Sequence, residues 1–331
     1  MEMTVNRRSF LLAVAAFGSV RAFGGAPGDR ALPGGGGLKI SPIREGGVDE
    51  VLKITPIEIK AGASAPFKAL HFSDTHLNFW DVEDFYGNPK KEEHFGHRWV
   101  RFPQALNSLY ATIDYAASRN MMLLHTGDLM DWNTRANRNV VRRNLAGRDF
   151  FYALGNHEYH SSQGKMPEMT HSEARAAMQK VIGNDLTVAS RVVNGVNIVA
   201  FDNGEMRLRE ETVARVKAEF AKGLPVVLMC HIPPTYTPKF LENGLAMKRQ
   251  ILRGQGVPEE QLAKMKKSGP IEPHYDERTS AFYGWLREQK ALKAILCGHT
   301  HVEEQDRFSE TAQMYVAGGN YEGCGYEVTF V

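Results

Sequence analysis

Six short apolar runs recur between residues 67 and 297, and they limit what this chain can fold into more than any other feature. They are Phe67–Phe72, Met121–Leu124, Phe150–Leu154, Val196–Phe201, Val226–Met229 and Ala294–Cys297. Runs this short and this apolar predict strands buried on both faces, as in a largely parallel sheet. Helical patterns lie between them. Leu106, Leu109, Ile113 and Ala117 share one helical face after Pro103. Thr170 and Glu173 form a capping box ahead of Ala174, Ala177, Met178 and Val181, which stop before Gly183. Leu208, Val213, Val216 and Phe220 make a third face before Gly223. Strand and helix in this order predict an α/β architecture.

The bulk numbers exclude several classes. With 331 residues, 43% apolar and 24% charged, the chain suits one large domain or two modest ones. A formal net charge of +2 gives no electrostatic reason to expect nucleic acid or an acidic membrane surface as partner. Arg135, Arg138, Arg142, Arg143 and Arg148 form a basic stretch with no stacking aromatics beside it, and read as a solvated helix face. Three cysteines make neither a disulfide framework nor a CxxC zinc site. Cys230 and Cys297 each end an apolar run and read as buried free thiols, with a bridge between them left open.

The N-terminal residues 1–24 read as an export signal. Asn6-Arg7-Arg8-Ser9-Phe10-Leu11-Leu12 opens an apolar stretch to Val20, too short to span a membrane, and small residues follow. The paired arginines resemble a twin-arginine signal, with an ordinary secretory signal as the alternative. Either route places the protein in the periplasm or outside the cell. The twin-arginine reading fails if a twin-lysine variant is exported normally. Residues 25–65 read as a Gly/Pro-rich linker and N-terminal extension, in which Leu52, Ile54, Ile57 and Ile59 offer an edge strand. The main domain is placed at 66–331. Two irregular segments, near 78–101 and 233–275, read as inserts roofing a cleft.

Five polar clusters each follow directly after an apolar run. They are Asp74-Thr75-His76, Gly127-Asp128, Gly155-Asn156-His157-Glu158, His231, and Gly298-His299-Thr300-His301. Ligands of α/β sheets bind at the carboxyl ends of strands, so these clusters are expected on one rim. Asp74, Asp128, Asn156, His76, His231, His299 and His301 offer oxygen and imidazole nitrogen without thiolate, a set that suits Mn, Fe or Zn. Seven ligands exceed one tetrahedral site and suffice for two ions if one carboxylate bridges. In extended chain, the outer residues of Asp-x-His and His-x-His point to the same side. The glycines before Asp128, Asn156 and His299 permit sharp turns. His71 and His125 lie within apolar runs and read as packed core residues.

The ordered series DxH, GD, GNHE, lone His and GHTH resembles the calcineurin-like metallophosphoesterases, over about residues 66–331. The resemblance implies a four-layer α/β/β/α sandwich with the metal site at the carboxyl ends of strands. It puts Asp74, His76 and His301 on one metal, and Asn156, His231 and His299 on the other. Asp128 would bridge them, and a metal-held hydroxide would attack the phosphate ester. His157 would protonate the leaving oxygen, with Asp131 orienting it. Trp132 stands where phosphoprotein phosphatases carry a phosphate-gripping Arg, and Asp131 where purple acid phosphatases carry an iron-binding Tyr. Both departures argue against those subfamilies.

The expected substrate is a small phosphomonoester or phosphodiester, contacted by Asn156, Tyr159, His160 and His97. No nucleic-acid partner and no stable membrane insertion are expected, and oligomeric state is left open. Two rival readings stand beside this one. The chain would be a non-catalytic metal-dependent phospho-ligand binder, or a pyrophosphohydrolase of a nucleotide or lipid conjugate.

Overall fold

Side chains along the buried strands point alternately into different apolar layers. Ala69 faces one layer while its neighbours Leu70 and Phe72 face another; Val227 and Met229 share the first, while Val226 and Leu228 face a third. A two-residue period with both faces buried builds three cores from two sheets. The computed structural model describes residues 51–81, 84, 98, 101–160, 169–205, 207–234 and 276–331. The export signal, the glycine-rich linker, His97 and most of both roofing inserts lie outside the described residues.

One sheet contains β1 (Lys53–Ile59), β2 (Phe67–Phe72), β3 (Met122–His125), β4 (Phe150–Tyr152) and β11 (Cys324–Phe330), in the order β1-β11-β2-β3-β4. The other contains β5 (Val188–Val193), β6 (Val196–Phe201), β7 (Val226–Met229), β8 (Leu292–Cys297), β9 (Glu304–Arg307) and β10 (Gln313–Val316), in the order β5-β6-β7-β8-β10-β9. β2, β3 and β4 run parallel, as do β6, β7, β8 and β10. Each parallel set therefore delivers its carboxyl ends to one rim. β1 is the edge strand that the alternation of residues 52–59 calls for, and it pairs in parallel with β11.

Between the sheets lie Ala69, Leu124, Phe151, Ile198, Val227, Leu296 and Val328. On the outer face of the first sheet pack α1 (Ala105–Ser118), α2 (Arg135–Leu145) and α3 (His171–Gln179), through Leu106, Leu109, Val140, Leu145 and Met178. α4 (Glu210–Phe220) and α5 (Glu277–Arg287) cover the second sheet through Val216, Phe220, Phe282 and Leu286. The result is the α/β/β/α sandwich. Thr170 and Glu173 do form the capping box of α3, each side chain accepting from the other's backbone N–H at 3.2 and 2.8 Å. On α1, Ala116 is buried and Ala117 exposed, one position from the expected stripe. Among the described residues no helix is long and apolar enough to cross a membrane.

Candidate metal centre

The five polar clusters converge on the rim where the two sheets meet. Asp74 and His76 follow β2, Asp128 follows β3, and Asn156 and His157 follow β4. From the second sheet, His231 follows β7, and His299 and His301 follow β8. Two groups of ligand atoms form. In the first, His76 Nε2 lies 2.9 Å from His301 Nε2, and His301 Nε2 lies 3.2 Å from Asp74 Oδ1. In the second, Asn156 Oδ1 is 3.0 Å from both His231 Nε2 and His299 Nδ1, which are 3.2 Å from each other. Asp128 Oδ2 stands between the groups, 3.1 Å from His231 Nε2 and 3.9 Å from His76 Nε2.

These separations fit cations. Ligand atoms about 2.1 Å from a common ion sit about 3.0 to 3.4 Å apart in octahedral or tetrahedral array. The tautomers fit as well. His231 Nδ1 donates to the Thr126 carbonyl at 2.7 Å, and His76 Nδ1 donates to Asp131 Oδ1 at 3.0 Å. With each Nδ1 held by an outer-shell partner, each Nε2 faces the centre, as in metal-ligating histidines. Burial would lower the pKa of His231, but Asp128 raises it to about 9, so a cation there would take the place of the Nε2 proton. Asp74 Oδ1 is buried and accepts no hydrogen bond, an orphan that a cation would satisfy. Burial opposes its charge, but the imidazoles of His301 and His76 hold its carboxyl well below the usual carboxylate range. Asp128 behaves alike: burial opposes ionisation, and His231 and His157 hold it low. Burial pushes His299 down to about 3, keeping it neutral and able to ligate.

The local backbone differs from the expected one. Neither Asp-x-His nor His-x-His is extended: Asp74, His76, Asp128, His299 and His301 have φ of 55°, 51°, 53°, 74° and 59°. L-residues avoid this left-handed region at a cost of on the order of 1–3 kcal/mol each. Hydrogen bonds across the rim hold it, with Asp74 N–H on the Gly127 carbonyl and His76 N–H on the Asp128 carbonyl, both at 3.0 Å. The glycines also act differently from the expectation. Only Gly127 turns, at φ +94°. At Gly155 a Cβ would strike the backbone N and carboxylate of Asp128, and at Gly298 it would strike Ser73 and the Asp74 carboxylate. Those two glycines serve close approach.

His157 stands at the mouth, its side chain 22% exposed, with Nε2 3.9 Å from Asp128 Oδ2. Its Nδ1 donates to the Asp131 backbone carbonyl at 2.9 Å and lies 3.3 Å from the Asp131 carboxylate. Burial would lower its pKa, but Asp128 and Asp131 raise it to about 10. The Asp131 carboxylate bonds His76 more closely than His157, so it serves both rings.

Two sequence expectations need correction or completion. Tyr159, expected as a substrate contact, is 2% exposed, packs in the first sheet's outer core and spends its hydroxyl on Asp202. His160 is partly buried beside His171, with ring centroids 6.1 Å apart. Cys230 and Cys297 are free and buried, with Sγ donating to the Ile232 and Tyr315 carbonyls. His71 and His125 are buried between strands, as read. On α2, Arg142 and Arg143 are solvated, whereas Arg138 donates back to Asn133 at 2.7 Å.

Several supporting residues escaped the sequence reading. Glu158 accepts from the backbone N–H groups of Asp128, Met130 and Gly155 at 3.0, 3.0 and 2.9 Å, tying two ligand loops together. Its place within GNHE was the only signal. Asn203 accepts from the N–H groups of His231 and Ile232 at 3.1 and 3.0 Å. Tyr321 places its hydroxyl 3.4 Å from His301 Nδ1. Arg98, within the irregular segment near 78–101, clamps Asp131.

A two-sheet sandwich with an Asp/His/Asn cluster at the sheet seam defines a metal-dependent hydrolase of the phosphoesterase type. The chain belongs to the calcineurin-like phosphoesterase family, whose model matches residues 67–303. It is a hydrolase acting on phosphoric esters, and the family implies a dimetal centre. Among solved structures it is similar to a dimetal phosphatase from Danio rerio, at 10% identity and TM-score 0.47, covering 78% of this chain and 91% of that one. A candidate 5'-nucleotidase from Staphylococcus aureus in complex with alpha-ketoglutarate matches at 13% identity and TM-score 0.42, covering 77% of this chain and 49% of that one. The chain thus spans about half the length of that protein. A phosphopantetheinyl hydrolase from Mycobacterium tuberculosis matches at 12% identity and TM-score 0.36, over 77% and 90% of the two chains. No curated protein matches the chain.

Proposed function

We propose that the chain hydrolyses small phosphomonoesters or phosphodiesters at a centre of two ions of Mn, Fe or Zn. Asp74, His76 and His301 would hold one ion, and Asn156, His231 and His299 the other, with Asp128 shared. The observation that carries this reading is the position of Asp128 Oδ2 between the two ligand groups. Bound there, the ions would neutralise phosphate oxygens and activate the attacking water. The chain's own residues do the rest. Asp131 keeps a proton on His157 Nδ1, leaving Nε2–H at the open side of the centre to protonate the leaving oxygen. Asn156, His160 and His97 are the proposed substrate contacts. Export through residues 1–24 to the periplasm or beyond belongs to the same proposal, and rests on the sequence.

The test is turnover of an alkyl phosphate and of p-nitrophenyl mono- and diesters, with Mn²⁺, Zn²⁺ or Fe²⁺. Asp128→Asn is expected to abolish turnover. His157→Asn is expected to lose about 10²–10⁴-fold on the alkyl ester and much less on p-nitrophenyl esters, whose leaving group needs no proton. Full activity in Asp128→Asn overturns the two-metal reading. An equal loss on all esters in His157→Asn overturns its role as acid.

A further inference from the structure

The Asp131 carboxylate is buried and carries more partners than a residue that merely orients one imidazole. Oδ1 accepts from His76 Nδ1 at 3.0 Å and faces His157 Nδ1 at 3.3 Å. Arg98 completes the set: Nε donates to Oδ2 at 2.7 Å and Nη2 to Oδ1 at 2.5 Å. Among the described residues no other hydrogen bond is seen to reach Oδ2. The guanidinium lies over the rings of Phe102 and Trp132, 4.9 and 5.6 Å from their centroids, and its side chain is only 13% exposed. Phe102 in turn stacks on His76, with centroids 4.5 Å apart and planes within 7°.

A fully buried carboxylate needs a compensating charge and filled lone pairs, or it is costly and turns toward other donors. The two imidazoles meet Oδ1 alone and leave Oδ2 to other donors. The planar fork of Arg98 supplies a permanent charge and fixes the plane of the carboxylate, which hydrogen bonds to Oδ1 alone do not. With that plane fixed, Oδ1 meets His76 Nδ1 and His157 Nδ1 together. One arginine, thirty-odd residues upstream, thereby sets the direction of a candidate metal ligand and of the candidate acid.

We propose that Arg98 is a positioning residue for the reaction, acting on His76 and His157 through Asp131; the proposal rests on the two-metal reading above. Trp132 fills the place beside Asp131 where phosphoprotein phosphatases carry their phosphate-gripping arginine. Arg98 spends its fork on Asp131 and is not that arginine moved to a new position.

The experiment compares full-length wild type, Arg98→Ala and Arg98→Lys in three readouts: kcat, KM, and calorimetric Mn²⁺ affinity of the metal-stripped protein. Arg98→Ala is expected to lower kcat about 10–100-fold and to weaken the ion assigned to His76 by a similar factor, the usual cost of losing an outer-shell partner. KM should stay within about twofold. Arg98→Lys keeps the charge without the fork and should recover only part of the loss. Added guanidinium chloride should raise kcat of the alanine variant and leave the lysine variant unchanged. A raised KM with unchanged kcat would make Arg98 a phosphate clamp and overturn the proposal. Unchanged kcat and metal affinity in both variants would overturn it as well. Should the alanine variant fail to fold, the lysine variant alone carries the same comparison. Failure of the underlying reading is separately visible: wild type would be inactive, or Asp128→Asn active, while the metal titration still reports on Arg98.

Discussion

Gly298 and Gly155 have no room for a methyl group. A Cβ at Gly298 would overlap Ser73 Oγ and the Asp74 carboxylate, and one at Gly155 would overlap the Asp128 carboxylate. Both carboxylates sit where the candidate ligand groups form, so the strand end or the ligand must move. Gly298→Ala is expected to reduce bound metal and to lower turnover by about 10²-fold, the effect of shifting a reacting group by an ångström. Gly183→Ala, with open space around its Cβ, should change stability by less than about 0.5 kcal/mol and leave turnover alone. Metal content and kcat of the two variants check this, and a fully active Gly298→Ala would sink it. At this scale the sequence discloses chemistry better than conformation. Asp, His and Asn after apolar runs announce ligands because few other roles need those types there. That five of them take left-handed backbone is invisible, since Asp and His enter that region more often than most residues but still in only a small minority of cases. Arg98, Asn203 and Tyr321 were equally hidden, because each reaches the site from a segment whose own pattern says nothing of it.

Two histidines lie inside the first sheet rather than at its rim. On β2, His71 Nε2 lies 2.9 Å from Thr126 Oγ1, and the ring stacks on Tyr326 of β11 at 5.9 Å. On β3, His125 Nδ1 accepts from the Gly127 N–H at 3.1 Å while Nε2 meets Thr75 Oγ1 at 3.0 Å. Burial pushes the pKa of each from 6.5 down to about 3. Between those values the unfolded chain binds a proton that the folded chain refuses, so stability falls as pH drops from 6.5 toward 3. In His71→Phe one such proton is gone. Urea midpoints of metal-stripped protein between pH 6 and pH 4 should then show a slope shallower than wild type by about 1.4 kcal/mol per pH unit. Equal slopes would mean that His71 titrates normally.

The same sheets show what element reading can and cannot reach. β2, β3, β4, β6, β7 and β8 were legible as apolar runs, since strands buried on both faces need no alternation. β9, with the sequence Glu-Gln-Asp-Arg, has no apolar period at all and exists only through its pairing with β10 at the sheet edge. β11 begins with Cys-Gly and finds its place between β1 and β2 through contacts some 250 residues apart in sequence. α5 mixes Phe282, Tyr283 and Leu286 with charged residues and a glycine, which blurs its face.

Across the whole molecule the candidate centre is a seam. The first sheet supplies Asp74, His76, Asp128 and Asn156, and the second supplies His231, His299 and His301. Neither ligand group is complete on one sheet: His301 crosses to Asp74 and His76, and His231 and His299 cross to Asp128 and Asn156. Unfolding or parting of the sheets scatters both groups, so ions held there would bind the folded chain and hardly at all the unfolded one. Binding then adds stability by mass action, about 2.7 kcal/mol for each site at one hundred times its Kd. For a domain of this size a kilocalorie moves Tm by about 2–4 °C, so saturating Mn²⁺ or Zn²⁺ should raise Tm by at least about 5 °C, and a chelator should reverse it. In the proposed assignment Asp128 alone is shared by both groups. Asp128→Asn is therefore expected to shrink the metal-induced rise at both sites, whereas His301→Asn should remove only the share of one. A Tm indifferent to metal, or an Asp128→Asn variant with the full rise, would mean that the seam is held by its apolar layer and that the ligand groups are not joined through this carboxylate.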